Sequence, residues 1–172
     1  MTLIGAAVQL GAAAVLLVAA AAKLAVPREI TATLTALGLR PVAVLRVALP
    51  LAELAAAVAL AVAPAAPATR IGLGAMGLAF AAVGLRVHRR GEVVACACFG
   101  GRHGRALGLR QVAALPAWAA AAVLPAALRT PLAGEDGLRA LLVVALATAV
   151  GAAVPLGAMI RQNRAYMAVV AR

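Results

Sequence analysis

Apolar residues run along this chain in long blocks, and most charged residues gather between the blocks. Five blocks stand out: Leu3 to Val26, about Val42 to Ala66, about Ala68 to Val87, about Leu109 to Leu128, and about Leu138 to Ile160. Each has about the 20 residues that carry an α-helix through a bilayer core of about 30 Å. A helix satisfies its own backbone groups, so the blocks predict membrane helices. Lys23 and Pro27 close the first block. Arg46 lies near the start of the second, Glu53 inside it, and Pro64 and Pro67 close it. Pro50 is expected to kink that helix. Pro116 and Pro125 interrupt the fourth block, which spans if neighbours resupply partners for the freed carbonyls. The predicted fold is all-α: a polytopic transmembrane helical bundle of four core helices plus a fifth C-terminal span. Residues 1–128 are expected to form the four-helix membrane domain, and 129–172 an additional helix with a basic tail.

Composition agrees with this reading. The chain is 66% hydrophobic and 12% charged, whereas a soluble domain is roughly half apolar and a quarter charged. That excludes disorder. The formal charge of +11 does not indicate nucleic acid, because aromatic residues for base stacking make up only 2%. The basic residues instead sit at the ends of the apolar blocks, where they meet lipid headgroups. The expected partner is the lipid bilayer. The first block lacks a basic leader and exceeds the length of a signal-peptide core, so it reads as a span. Gly72, Gly74, Gly77 and Gly84 crowd the third block, where small residues let helices approach closely. Gly72-Leu73-Gly74 lacks the strand and third glycine of a dinucleotide fingerprint.

The cations divide unequally between the two faces. One face receives Lys23, Arg28, Arg40, Arg46, Arg86, Arg89, Arg90, Arg102, Arg105, Arg110, Arg161, Arg164 and Arg172. The other receives Arg70, Arg129 and Arg139. The positive face is expected to be cytoplasmic. A multi-pass protein of the cell (inner) membrane follows, with its N-terminus outside and the segment after the third block at the cytoplasmic face.

That segment carries Cys96-Ala97-Cys98-Phe99-Gly100, with the chain's two cysteines. A disulfide at this spacing closes a very small ring and departs from relaxed geometry. Strained disulfides are readily reduced, which suits exchange. Six arginines between Arg86 and Arg110 favour the thiolate, the reactive form. Two alternatives stay open: small buried residues that pack like hydrophobes, and a soft-metal site completed by His88 and His103. The basic surroundings of both histidines, Val-His-Arg-Arg and Arg-His-Gly-Arg, disfavour a cation. Glu53 is an acid deep in an apolar block, a costly placement that demands a partner. Lys23 and Arg46 are the candidates. The pair is either functional, with a proton relay as one form, or a structural ion pair that sets helix register. Trp118, Tyr166, Phe80 and Phe99 are too few to form an aromatic belt.

Taken together, Lys23-Leu24-Ala25-Val26-Pro27, Leu49-Pro50-Leu51-Ala52-Glu53 and the Cys96–Gly100 pentad resemble the methylamine utilisation protein MauE family, which is similar in layout to DoxX-like membrane proteins. The resemblance covers about residues 3 to 128. It implies a polytopic inner-membrane protein that helps mature the disulfide-rich small subunit of methylamine dehydrogenase, by supporting disulfide formation or transport. Carried over, the redox pair is Cys96 and Cys98 and the membrane acid is Glu53. Ala97 stands where the family often has glycine, and Gln111 stands where asparagine is expected. The fifth block lies outside the family core. No cofactor is evident; a quinone or a second thiol protein would be the electron partner by analogy alone. Oxidation of an exported, disulfide-containing protein asks for outward cysteines, whereas the charge count places them inside. Two other functions remain: a non-enzymatic DoxX-like scaffold subunit, and a small-solute transporter using Glu53 with Lys23 or Arg46.

Overall fold

The computed structural model describes residues 2–96, 106–128 and 134–146. These residues form seven helices in chain order: α1 (Thr2–Ala25), α2 (Pro27–Ala36), α3 (Val42–Val62), α4 (Pro67–Arg90), α5 (Leu109–Ala113), α6 (Leu115–Ala127) and α7 (134–146). Four segments among them are long and apolar enough to cross a membrane: Leu3–Ala25, Val42–Val62, Pro67–Arg90 and Leu109–Ala127. No more than a third of any span's most apolar stretch is buried inside the bundle. Ile4, Val15, Leu51, Leu54, Ile71 and Leu78 all face outward. Water would penalise such a surface, and a bilayer does not.

Proline and glycine set the boundaries. Pro27 opens α2 at its first turn, where a missing N–H costs nothing. α2 was not expected from the apolar blocks. Its ten residues alternate polarity at helical spacing, with Ile30 and Leu34 buried against Leu39, Val42, Leu45 and Leu49. Glu29 in its first turn complements the helix dipole. Gly38, at φ 67°, ends it in the left-handed conformation that glycine adopts without penalty, and Leu39 N donates to Leu34 O at 3.0 Å. Pro64 and Pro67 stop the second span at Val62, earlier than the apolar run itself ends. Thr69 Oγ1 then donates to Ala63 O at 2.9 Å and ties down the α3–α4 turn. α4 outlasts its apolar block by a turn, because His88, Arg89 and Arg90 suit a helix C-terminus. Gly91, at φ 63°, caps it.

The fourth block is a broken helix. α5 and α6 meet at Ala114, two residues before Pro116, which fits the first turn of α6, where its missing N–H costs nothing. The fifth predicted span is only partly described. α7 begins before Leu138 and reaches 146, about 20 Å of helix at 1.5 Å per residue. That is short of a bilayer core, so a fifth span is not shown; residues 147–160 lie outside the described residues.

α1 and α3 pack antiparallel at the centre. Ala13, Leu16, Ala57, Leu60 and Ala61 form the core with Leu73, Ala122 and Leu141. Gln9 Nε2 donates to Leu60 O at 2.8 Å and bridges the two helices. On α4 the expected packing role divides. A Cβ on Gly77 would lie 2.7 Å from Trp118, and one on Gly84 would lie 2.5 Å from Gly108 O. Gly72 and Gly74 have nothing within 4 Å, so among the described residues they are not packing glycines.

Candidate functional site

One end of the bundle gathers the chemistry. The last turn of α1 meets the middle of α3 there, and the last turns of α4 meet the start of α5, with α2 laid alongside. Lys23 is in the last turn of α1, where an ammonium complements the helix C-terminus. Its Nζ donates to Glu53 Oε1 at 2.7 Å, to Oε2 at 2.8 Å and to Ala19 O at 3.3 Å. Both side chains are 3% exposed, so this is a buried, bidentate pair. Attraction in such a site is strong and solvation is lost, and the pair persists because each charge answers the other. Arg46 is not the partner. It lies on the first turns of α3, which the antiparallel register carries past the end of α1, and it is exposed.

The cysteine segment leaves α4 and is clasped at its base. Ala95 and Ala106 form an antiparallel bridge, and Leu107 N donates to Val94 O at 2.8 Å. Thr33 Oγ1 on α2 donates to Ala95 O at 3.0 Å, so α2 braces the clasp. Beneath it Leu37, Val87, Val94 and Leu107 form a small core, against which half-buried Cys96 packs. Cys96 is disulfide-bonded. Cys98 and His103 lie outside the described residues. His88 is exposed on the last turn of α4. Among the described residues no three His, Cys, Asp or Glu side chains gather to hold a metal ion.

Beside the ion pair, a cavity of about 570 Å³ runs between α1 and the α5–α6 pair. One helix face of α1 lines it, from Ala7 to Lys23, a length of about 24 Å. Phe80 and Trp118 contribute an aromatic wall, their ring centres 5.8 Å apart. Lys23, Glu53, Arg110 and Gln111 form its one polar end, and the other lining residues are apolar.

The structure thus joins Lys23 to Glu53, sets Arg46 and His88 at the surface, and places Cys96 at the same end of the bundle. Sequence reasoning missed Gln9, and it did not place Arg110 and Gln111 beside Glu53. Gln9 carried the same signal as Glu53, a polar residue inside an apolar block. Arg110 counted only among the cations around the cysteines and Gln111 only as a departure from the family pattern, because polar residues at the edge of a block normally face headgroups.

Residues 1–128 match the family described as methylamine utilisation protein MauE. No curated protein matches the chain, and no solved structure does.

Proposed function

Because the chain belongs to the methylamine utilisation protein MauE family, we propose that it is a membrane thiol–disulfide exchange protein that supports disulfide formation in, or export of, a partner protein. The observation that carries this reading is the disulfide at Cys96, held on a braced clasp that follows the basic last turn of α4 in the chain. The positive charge of Arg86, Arg89 and Arg90 on the preceding helix favours a departing thiolate.

In the forward direction, a thiolate of the partner attacks one sulfur of the Cys96–Cys98 disulfide. A mixed disulfide forms and the other cysteine leaves as a thiolate. The partner's second thiolate then attacks the mixed disulfide. The partner ends with a disulfide and this chain with two thiols, which have taken up two electrons and two protons. The reverse sequence reduces a partner instead.

The test uses the purified full chain in detergent micelles and a reduced peptide with two cysteines. The wild-type protein should oxidise the peptide in stoichiometric amount, and Cys96→Ser and Cys98→Ser, which have no intrachain disulfide to give up, should not. If the peptide stays reduced with wild type, or is oxidised equally by the serine variants, the exchange reading is wrong.

A transport reading has one observation in its favour, the Lys23–Glu53 pair on the cavity wall. It predicts that Glu53→Gln abolishes function while Cys96→Ser preserves it.

A further inference from the structure

The proposed exchange leaves the chain with two thiols, and a further acceptor must reoxidise them. We propose that the cavity between α1 and α5–α6 binds that acceptor, a membrane quinone, with its head group at Gln111 and Arg110. This inference rests on the exchange reading for its purpose, but the binding site stands on separate geometry.

The cavity's volume of about 570 Å³ falls within the roughly 300–1,000 Å³ of small-molecule sites. Its shape is long and its walls are alanine, valine and leucine with two aromatic rings, which suits an isoprenoid tail. The polar end is specific in kind. Gly108 N donates to the Gln111 side chain at 2.8 Å. A backbone N–H can only donate, so the atom facing it is Oε1, and Nε2, with its two hydrogens, is the donor that Gln111 brings to the cavity lining. Arg110 is a donor with no acceptor capacity. Glu53 is the acceptor at this end, and Lys23 occupies both its oxygens. What the end offers a ligand is therefore hydrogen-bond donation to a carbonyl oxygen. A quinone presents two carbonyls on an apolar body. It takes two electrons and two protons to become the quinol, which balances two thiols closing to a disulfide.

Position supports the coupling. Gln111 and Arg110 follow the clasp directly, since Leu107 pairs with Val94 and Gly108 with Gln111. The head-group end and Cys96 thus share one end of the bundle.

The chain supplies its own probe. Trp118 is the sole tryptophan and lines the cavity, about 10 Å of helix from Gln111 at 1.5 Å per residue. Bound quinone quenches its fluorescence. Decylubiquinone, a short-tailed benzoquinone, should quench the wild-type protein in micelles to a saturating limit. Gln111→Leu should weaken that binding about fivefold to tenfold, the worth of one hydrogen bond. Gly11→Leu should abolish saturation, because Gly11 lines the cavity and a Cβ there meets nothing within 4 Å. Cys96→Ser should quench as wild type does.

Quenching that rises linearly, with wild type and Gly11→Leu alike, overturns the site. Saturable quenching that added anionic phospholipid displaces also overturns it, in favour of a lipid groove. Loss of quenching in Gly11→Leu with quinone-dependent reoxidation of the thiols intact places the acceptor elsewhere. Saturable quenching in a chain that never oxidises the peptide rejects the exchange reading and leaves the quinone cavity standing.

Discussion

Lys23 and Glu53 are separated by thirty positions in sequence, yet their charged atoms meet at 2.7 Å in a site that excludes solvent. Removing one charge leaves the other buried alone, at a cost of about 3–5 kcal/mol. Glu53→Gln and Lys23→Met are each expected to lower the thermal unfolding midpoint in detergent. The double change Lys23→Met with Glu53→Leu should recover most of the loss, since an apolar pair of similar volume costs little there. Failure of the double variant to recover would mean that the pair holds more than its own two charges. Glu53 was legible as an anomaly because an acid within an apolar block needs an answer. Its partner was not, since Lys23 and Arg46 both qualified until the register of α1 against α3 separated them.

Helices α4, α5 and α6 show how one residue type divides by environment. Gly84→Ala would press a methyl against Gly108 O and Gln111, and Gly77→Ala against Trp118. Both are expected to destabilise, and Gly84→Ala should also loosen the clasp, read as faster hydrogen exchange at the Leu107 amide that bonds Val94 O. Gly72→Ala and Gly74→Ala meet open space. They should stabilise by about 0.5–1 kcal/mol, the ordinary gain from replacing a helical glycine. Equal effects at all four positions would contradict this division. The four glycines look alike in sequence, and which neighbour approaches each one is a property of packing. α2 was hidden for a different reason. It is short and amphipathic, and a reading tuned to long apolar blocks passes over it.

For the whole molecule, charge and fold agree on one asymmetry. Lys23, Arg28, Arg40, Arg46, Arg86, Arg89, Arg90 and Arg110 all lie at the end that carries Cys96, and Arg70 lies at the start of α4, at the opposite end. We propose, from the positive-inside rule, that this end faces the cytoplasm. In intact cells, a permeant maleimide should therefore label Cys96 and Cys98 after mild reduction, and an impermeant one should not. Labelling from outside would reverse the orientation and put the thiols directly before an exported partner.

Hydrophobic blocks about as long as a bilayer is thick pointed, from sequence alone, to five spans, and four of them are long and apolar enough among the described residues. Polar residues stranded in or between those blocks marked Glu53, Cys96 and Cys98 for attention. This worked because span length and the cost of burying charge are local quantities, set by the residues themselves. Tertiary structure decided the rest. It chose Lys23 over Arg46, braced the cysteine segment with a helix no block announced, and opened a cavity whose polar end comes from α1, α3 and α5 together. Those outcomes depend on helix register and close approach, which arise between segments far apart in the chain.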